Sequence, residues 1–185
     1  MILLLIPRFA KGRRGSGGFL TFGAMEKSPY KAYYGSPGGL MEICASNMGI
    51  TSVTFVKNKS GKIHSSDLTS DCINQLDQYF CKKAKTFSLP LDLQGTDFQK
   101  RVWNELLNIP FGKTISYLQL AGKLGDKKSI RAVGGANGKN PVAIIVPCHR
   151  VIGANGNLVG YAGGLDKKKL LLRHEGVLIQ KELFV

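Results

Sequence analysis

Ile130-Arg-Ala-Val-Gly-Gly-Ala-Asn-Gly-Lys-Asn-Pro-Val-Ala-Ile-Ile-Val-Pro-Cys-His-Arg150 joins a short helix of small residues, an apolar run and a cysteine followed by two basic residues. The helix is predicted to open at Lys128 or Ser129 and to end near Asn137-Gly138. Ala132, Gly134, Gly135 and Ala136 leave it almost bare of side chains, and each glycine in a helix costs about 1 kcal/mol relative to alanine. A sequence that accepts two of them needs its backbone close to something bulky, either a neighbouring helix or a ligand. Val142 to Val146 reads as a buried strand bracketed by Pro141 and Pro147. Adjacent strand residues point to opposite faces, so Cys148 and His149 can act together only if Pro147 turns the chain.

Working outward, Thr114-Ile-Ser116 opens a helix through Tyr117, Leu120 and Ala121 to Leu124, and Gly125-Asp126 is a tight turn. Two short helices about a glycine turn read as a helix-turn-helix, with the small-faced helix as the recognition helix. Upstream, Thr96-Asp-Phe-Gln99 is a capping box. The helix it starts carries Phe98, Val102, Leu106 and Ile109 on one face and stops at Pro110-Phe-Gly112. Trp103 reads as a core or domain-interface residue. Downstream, Gly153 to Asn157 is a loop between short extended pieces. Asp166 is expected to cap a last helix, Lys167 to His174, with Leu170, Leu171 and Leu172 inward and Gly176 closing it.

The first half has a different rhythm. Lys31–Tyr34, Leu40–Ala45 and Ile50–Lys57 are apolar or β-branched runs separated by glycine turns, the pattern of an antiparallel meander. Ser66 to Lys83 has helical spacing of Ile73, Leu76, Tyr79 and Phe80. Cys72 and Cys81 in this helix, and Cys44 in its strand, read as packing residues. Ser88 to Gly95 breaks the pattern. The expectation is an α+β protein with a flexible basic leader over 1–25, an N-terminal domain over 26–93 and a mostly helical domain over 94–185. The leader has no acidic residue before Glu26, a faint mitochondrial signature, and a start at Met25 explains it equally well.

The chain has 185 residues, 43% hydrophobic, and a formal net charge of +14. Residues 94–185 hold fourteen basic against six acidic residues, and residues 1–25 hold four basic and none acidic. Such a balance suits either a polyanionic partner, nucleic acid before membrane, or simply a basic surface. No apolar run is long enough to span a bilayer. The four cysteines form no C-x-x-C pair, and with the three histidines they make no zinc spacing, so neither metal nor cofactor is expected. Without a convincing secretion signal, reduced thiols and a cytoplasmic location are expected.

Cys148 differs from the other cysteines in its setting. His149 and Arg150 beside it favour a thiolate, a nucleophile suited to saturated carbon. Alone, the pattern fits either a reactive thiol or a packed cysteine near surface charges.

Longer stretches carry a resemblance. Pro147-Cys-His-Arg150, with Asn140-Pro141, Arg131-Ala-Val-Gly134, Ser116-Tyr117, Ile109-Pro110, Val102-Trp103, Gly163-Gly164 and His174-Glu-Gly176, resembles the O6-alkylguanine-DNA alkyltransferase family over residues 95–177. The N-terminal part fits that family's RNase-H-like domain more loosely, through Ser36-Pro37 and the following strand. The resemblance implies a winged-helix-like second domain and a monomer that binds double-stranded DNA containing O6-alkylguanine. It implies single, irreversible alkyl transfer to Cys148, and leaves activity on O4-alkylthymine open. His149 would be the base, through water, and Glu175 would orient it. Asn140 would hold the turn between the recognition helix and the active-site strand, Tyr117 would hydrogen-bond the purine, and Tyr161 would line the alkyl pocket. Arg131 would fill the gap left by a flipped nucleotide, while Ala132, Gly134, Gly135 and Arg150 would lie against DNA. Flipping is physically required, because a buried thiol cannot reach a base inside the stack. Ala143 stands where some members have proline, which implies a roomier pocket. Three rivals are a non-catalytic damage sensor, which typically has tryptophan at the cysteine position, a helix-turn-helix regulator, and a cysteine hydrolase, which would need an oxyanion hole.

Overall fold

The computed structural model describes residues 28–177. The expected leader over 1–25 lies outside the described residues. Strands β1 (Tyr30–Ser36), β2 (Gly39–Ala45) and β3 (Ile50–Phe55) form an antiparallel meander. Met41, Ile43 and Ala45 are buried and alternate with half-buried Glu42 and Cys44, so one face of the sheet meets the core. Helix α1 (Asp67–Phe80) covers that face with Cys72, Leu76 and Tyr79. Its start is fixed by a capping box between Ser66 and Thr69. It ends earlier than the spacing predicts, because Lys82 adopts a left-handed φ of 59°. Cys81 is therefore exposed at the helix end rather than packed.

The edge of β3 is not left open. Ile50 N–H donates to the Pro90 carbonyl and Asp92 N–H to that of Ile50. Further along, Val53 N–H donates to Pro141 O at 2.9 Å and Ala143 N–H to Val53 O at 2.8 Å. The segment leading to Cys148 is thus hydrogen-bonded to the N-terminal sheet, and one hydrophobic cluster runs through both halves.

In the second half, Thr96 and Gln99 form the expected capping box of α2 (Asp97–Leu107). Trp103 packs α2 against the recognition helix by donating its indole N–H to Ala136 O at 2.9 Å. Gly95 lies under the same ring, where a Cβ would come within 2.6 Å of it. Helix α3 (Tyr117–Lys123), with Ser116 as N-cap, and α4 (Ile130–Gly138) form the helix-turn-helix. Strands β4 (Ile115–Ser116) and β5 (Val151–Ile152) pair in parallel, and α5 (Leu165–His174) closes the chain with Leu171 and Leu172 buried. The N-cap of α5 is Gly164, at φ 93° with no side-chain cap bond. Asp166 lies within the first turn, where its charge favours the helix N-terminus without capping it.

Val142 to Val146 is buried as expected, except at half-buried Ala143, yet it is not a strand. Ile144 has φ 73°, and Ile145 N–H donates back to Ala143 O at 2.9 Å. That is a tight γ-turn about a β-branched residue, a conformation costing about 1–3 kcal/mol. Among the described residues no helix is long and apolar enough to cross a membrane.

Candidate active site

The turn about Ile144 is followed at once by a second. Pro147 has φ −84° and ψ 59°, and Cys148 N–H donates to Val146 O at 2.8 Å, an inverse γ-turn. Cys148, His149 and Arg150 then form one 3-10 turn. The pair sits in a turn, as cooperation between neighbours demands. Asn140 pins this double bend. Its Nδ2 donates to Val146 O at 2.8 Å and to Cys148 Sγ at 3.0 Å, while its Oδ1 accepts from Val142 N–H at 3.0 Å.

Glu175, the C-cap of α5, is the centre of a buried network. His149 Nε2 lies 2.8 Å from Oε1. Arg150 donates from Nε to Oε2 at 2.9 Å and from a terminal nitrogen to Oε1 at 2.9 Å. Tyr79 O–H and Gly112 N–H donate as well, at 2.9 and 3.0 Å. Burial works to raise the Glu175 pKa, but hydrogen bonds from His149 and Arg150 outweigh it and bring it down to about 2. The carboxylate is ionised, so it takes the His149 Nε2 proton as its hydrogen bond. Burial also lowers His149, against the pull of Glu175, and keeps the imidazole neutral. Its Nδ1 is left as a buried lone pair with no partner among the described residues.

Two expectations change here. Arg150 was expected at the DNA and as an activator of the thiol. It is 6% exposed and committed to Glu175 and to Ile109 O at 2.6 Å, so it belongs to the interior. Cys148 is not held as a resting thiolate by its neighbours in sequence. Burial pushes its pKa up, opposed by the Asn140 hydrogen bond and the charge of Lys168. A thiol with a raised pKa needs a base at the moment of reaction.

Cys148 lies against a cavity of about 240 Å³ lined also by Asn137, Asn140, Ala143 and Tyr161. The Tyr161 hydroxyl is buried with no partner. Tyr117 places its hydroxyl 3.2 Å from Val159 O. Arg131, Ala132 and Gly135 are on the exposed side of α4, while Val133, Ala136 and Asn137 face inward. A Cβ on Gly135 would meet nothing within 4 Å, and one on Gly134 would touch only Tyr117 at 3.9 Å. The bare face is therefore not spent on packing against another helix. Among the described residues no three His, Cys, Asp or Glu side chains form a metal site.

Lys168 escaped sequence reasoning. It is fully buried, and its ammonium donates to Val151 O and Val159 O at 2.6 Å and to Gly160 O at 3.3 Å. Burial lowers its pKa to about 8, against the pull of Cys148. It lies in the run Lys167-Lys-Lys169, which carries no signal of a buried member. Thr54 and Phe55, which line the Cys148 cavity from β3, were also unforeseen.

Comparison with known proteins bears on this geometry. The DNA-binding domain model of 6-O-methylguanine DNA methyltransferase matches residues 97–177, and the ribonuclease-like domain model of the same family matches residues 29–93. A methylated-DNA–protein-cysteine methyltransferase of Methanosarcina acetivorans is 44% identical over 153 residues, 80% of this chain and 98% of the relative. The chain belongs to the methylated-DNA–protein-cysteine methyltransferase family. Another such methyltransferase, from Mycobacterium leprae, is 46% identical over 70% of this chain and 78% of its own. The solved O6-methylguanine methyltransferase of Mycobacterium tuberculosis superposes with a TM-score of 0.71 at 40% identity, covering 79% of this chain and 92% of that one. The M. tuberculosis OGT solved in complex with DNA gives 0.69 at 44% identity, covering 77% and 91%.

Proposed function

We propose that this protein repairs double-stranded DNA by moving the alkyl group of O6-alkylguanine, once and irreversibly, onto Cys148. The observation that carries the reading is a buried sulfur, held by Asn140, beside a His149–Glu175 pair whose free nitrogen has no other partner. His149 Nδ1 takes the thiol proton through a water, and Glu175 stabilises the imidazolium that forms. The sulfur attacks the alkyl carbon, an S–C bond forms, and the C–O6 bond breaks. The electron pair goes to the purine, Tyr117 hands it a proton so that it leaves as neutral guanine, and the proton held by His149 returns through water to Tyr117. The thiol supplies the nucleophile and the imidazole the base, so the step needs no cofactor. The product thioether is a poor leaving group, which ends the reaction after one event.

DNA is the partner, in keeping with the M. tuberculosis relative solved with DNA and the charge of +14. The exposed small residues of α4 let its backbone lie close to the walls of the minor groove, and Arg131 stacks where the flipped base was. The protein works as a monomer, in the cytoplasm.

The test is the intact mass of the protein after incubation with an O6-methylguanine duplex. The expected result is one methyl group per chain, found on the Cys148 peptide. Turnover beyond one equivalent overturns the reading. Cys148→Ala should lose all transfer and keep DNA binding, which a gel-shift measurement checks.

A further inference from the structure

The cavity against Cys148 is not built by the C-terminal half alone. Phe55, the last residue of β3, lines it together with Ala143, Tyr161 and Gly163. Its half-buried ring is gripped from two sides. Gly38, in the turn between β1 and β2, lies so near that a Cβ there would come within 3.0 Å of the ring. Gly163, in the loop leading to α5, lies between two aromatics: a Cβ on it would fall 2.8 Å from the Tyr161 ring and 3.2 Å from that of Phe55. Lys167 Nζ stands 5.3 Å from the Phe55 ring centroid, a cation–π distance. The ring therefore cannot withdraw unless the loop before α5 moves.

We propose that Phe55 sets the upper size of the alkyl group that reaches Cys148, so that the N-terminal domain takes part in substrate selection. This rests on the proposed transfer to Cys148. A substituent on O6 must enter the cavity for its carbon to meet the sulfur. The volume, about 240 Å³, falls just below the range of about 300–1,000 Å³ usual for ligand pockets. A methyl group makes little demand on that space, whereas a benzyl group must pack against the aromatic wall or displace it.

The experiment uses the full chain and two duplexes that differ only in carrying O6-methylguanine or O6-benzylguanine, with single-turnover rates for each. In Phe55→Ala the benzyl-to-methyl rate ratio should rise by about tenfold or more, and in Phe55→Trp it should fall by a similar factor, as one or two methylenes do in an apolar pocket. Loss of folding lowers both rates and cannot move the ratio in opposite directions. Thermal unfolding of each variant identifies a misfolded one, and Phe55→Leu then replaces Phe55→Ala. An unchanged ratio in an active chain overturns the proposal and leaves the transfer reading standing. A wild-type chain that takes up no methyl group overturns both.

Discussion

At the scale of single residues, burial holds the Cys148 thiol towards its protonated form against the pull of Asn140 and Lys168, so the proposed transfer depends on a base. The Arg150–Glu175 pair cancels internally, and the neutral His149 keeps one free nitrogen. The base must be unprotonated to work, and burial lowers the His149 pKa below its ordinary 6.5. Transfer rates should therefore stay level from neutral pH down past 6.5 and fall only at lower pH. A rate-against-pH profile measures this, and a drop centred above 6.5 would contradict it. Glu175→Gln leaves Arg150 buried without a counter-charge, at an expected cost of about 3–5 kcal/mol in denaturant unfolding, with loss of transfer. Glu175 is depressed in the fold, from 4.5 to about 2. Its contribution is present above its unfolded pKa and is lost as pH falls from 4.5 towards 2, so the variant should show a flatter stability profile in that window. Cys148, His149, Glu175 and Asn140 were legible only through the family resemblance, and the structure brings the four together. The direction of the Cys148 shift was not, since adjacency in sequence says nothing of where a guanidinium points.

At the scale of elements, the small-faced helix α4 presents Arg131 on its exposed side. If Arg131 only neutralised a phosphate, Arg131→Lys would be nearly silent. If it stacks in the vacated site, a planar guanidinium matters and lysine cannot replace it. The expected outcome is slower transfer from duplex DNA in Arg131→Lys and slower still in Arg131→Ala, with near-normal reaction towards free O6-benzylguanine. Equal losses on both substrates would assign Arg131 to the fold. The Thr96–Gln99 capping box and the spacing of Val102 and Leu106 made α2 readable, whereas the boxes at Ser66 and Ser116 emerged only in the structure. The segment 142–146 was misread for a physical reason. Five apolar residues between prolines, four of them buried, look the same in sequence whether they form a strand or a doubly bent turn, and the Asn140 side-chain bonds that hold the bend leave no local pattern.

At the scale of the whole molecule, the two halves are joined through backbone as well as side chains. Ala143 N–H is one of those links, and proline has no N–H. Although some family members have proline at this position, in this chain Ala143→Pro should destabilise the protein by about 1–3 kcal/mol, because it removes the N–H bonded to Val53 O. Thermal or urea unfolding checks this, and an unchanged midpoint would show that the link carries little. The α+β class and the two kinds of half were evident from period-2 and helical spacing, whereas pairing between residues 53 and 142, far apart in sequence, leaves no local pattern to read. The same pairing shapes synthesis on the ribosome. The three-stranded sheet can form as soon as β3 has emerged, but its outer edge is covered at Ile50 only once Asp92 follows, and at Val53 only once Ala143 does. A nascent chain stalled between those points displays an apolar strand edge, the feature most prone to join a neighbouring chain. The segment that carries the reactive sulfur is thus also the one that seals the sheet against its neighbours.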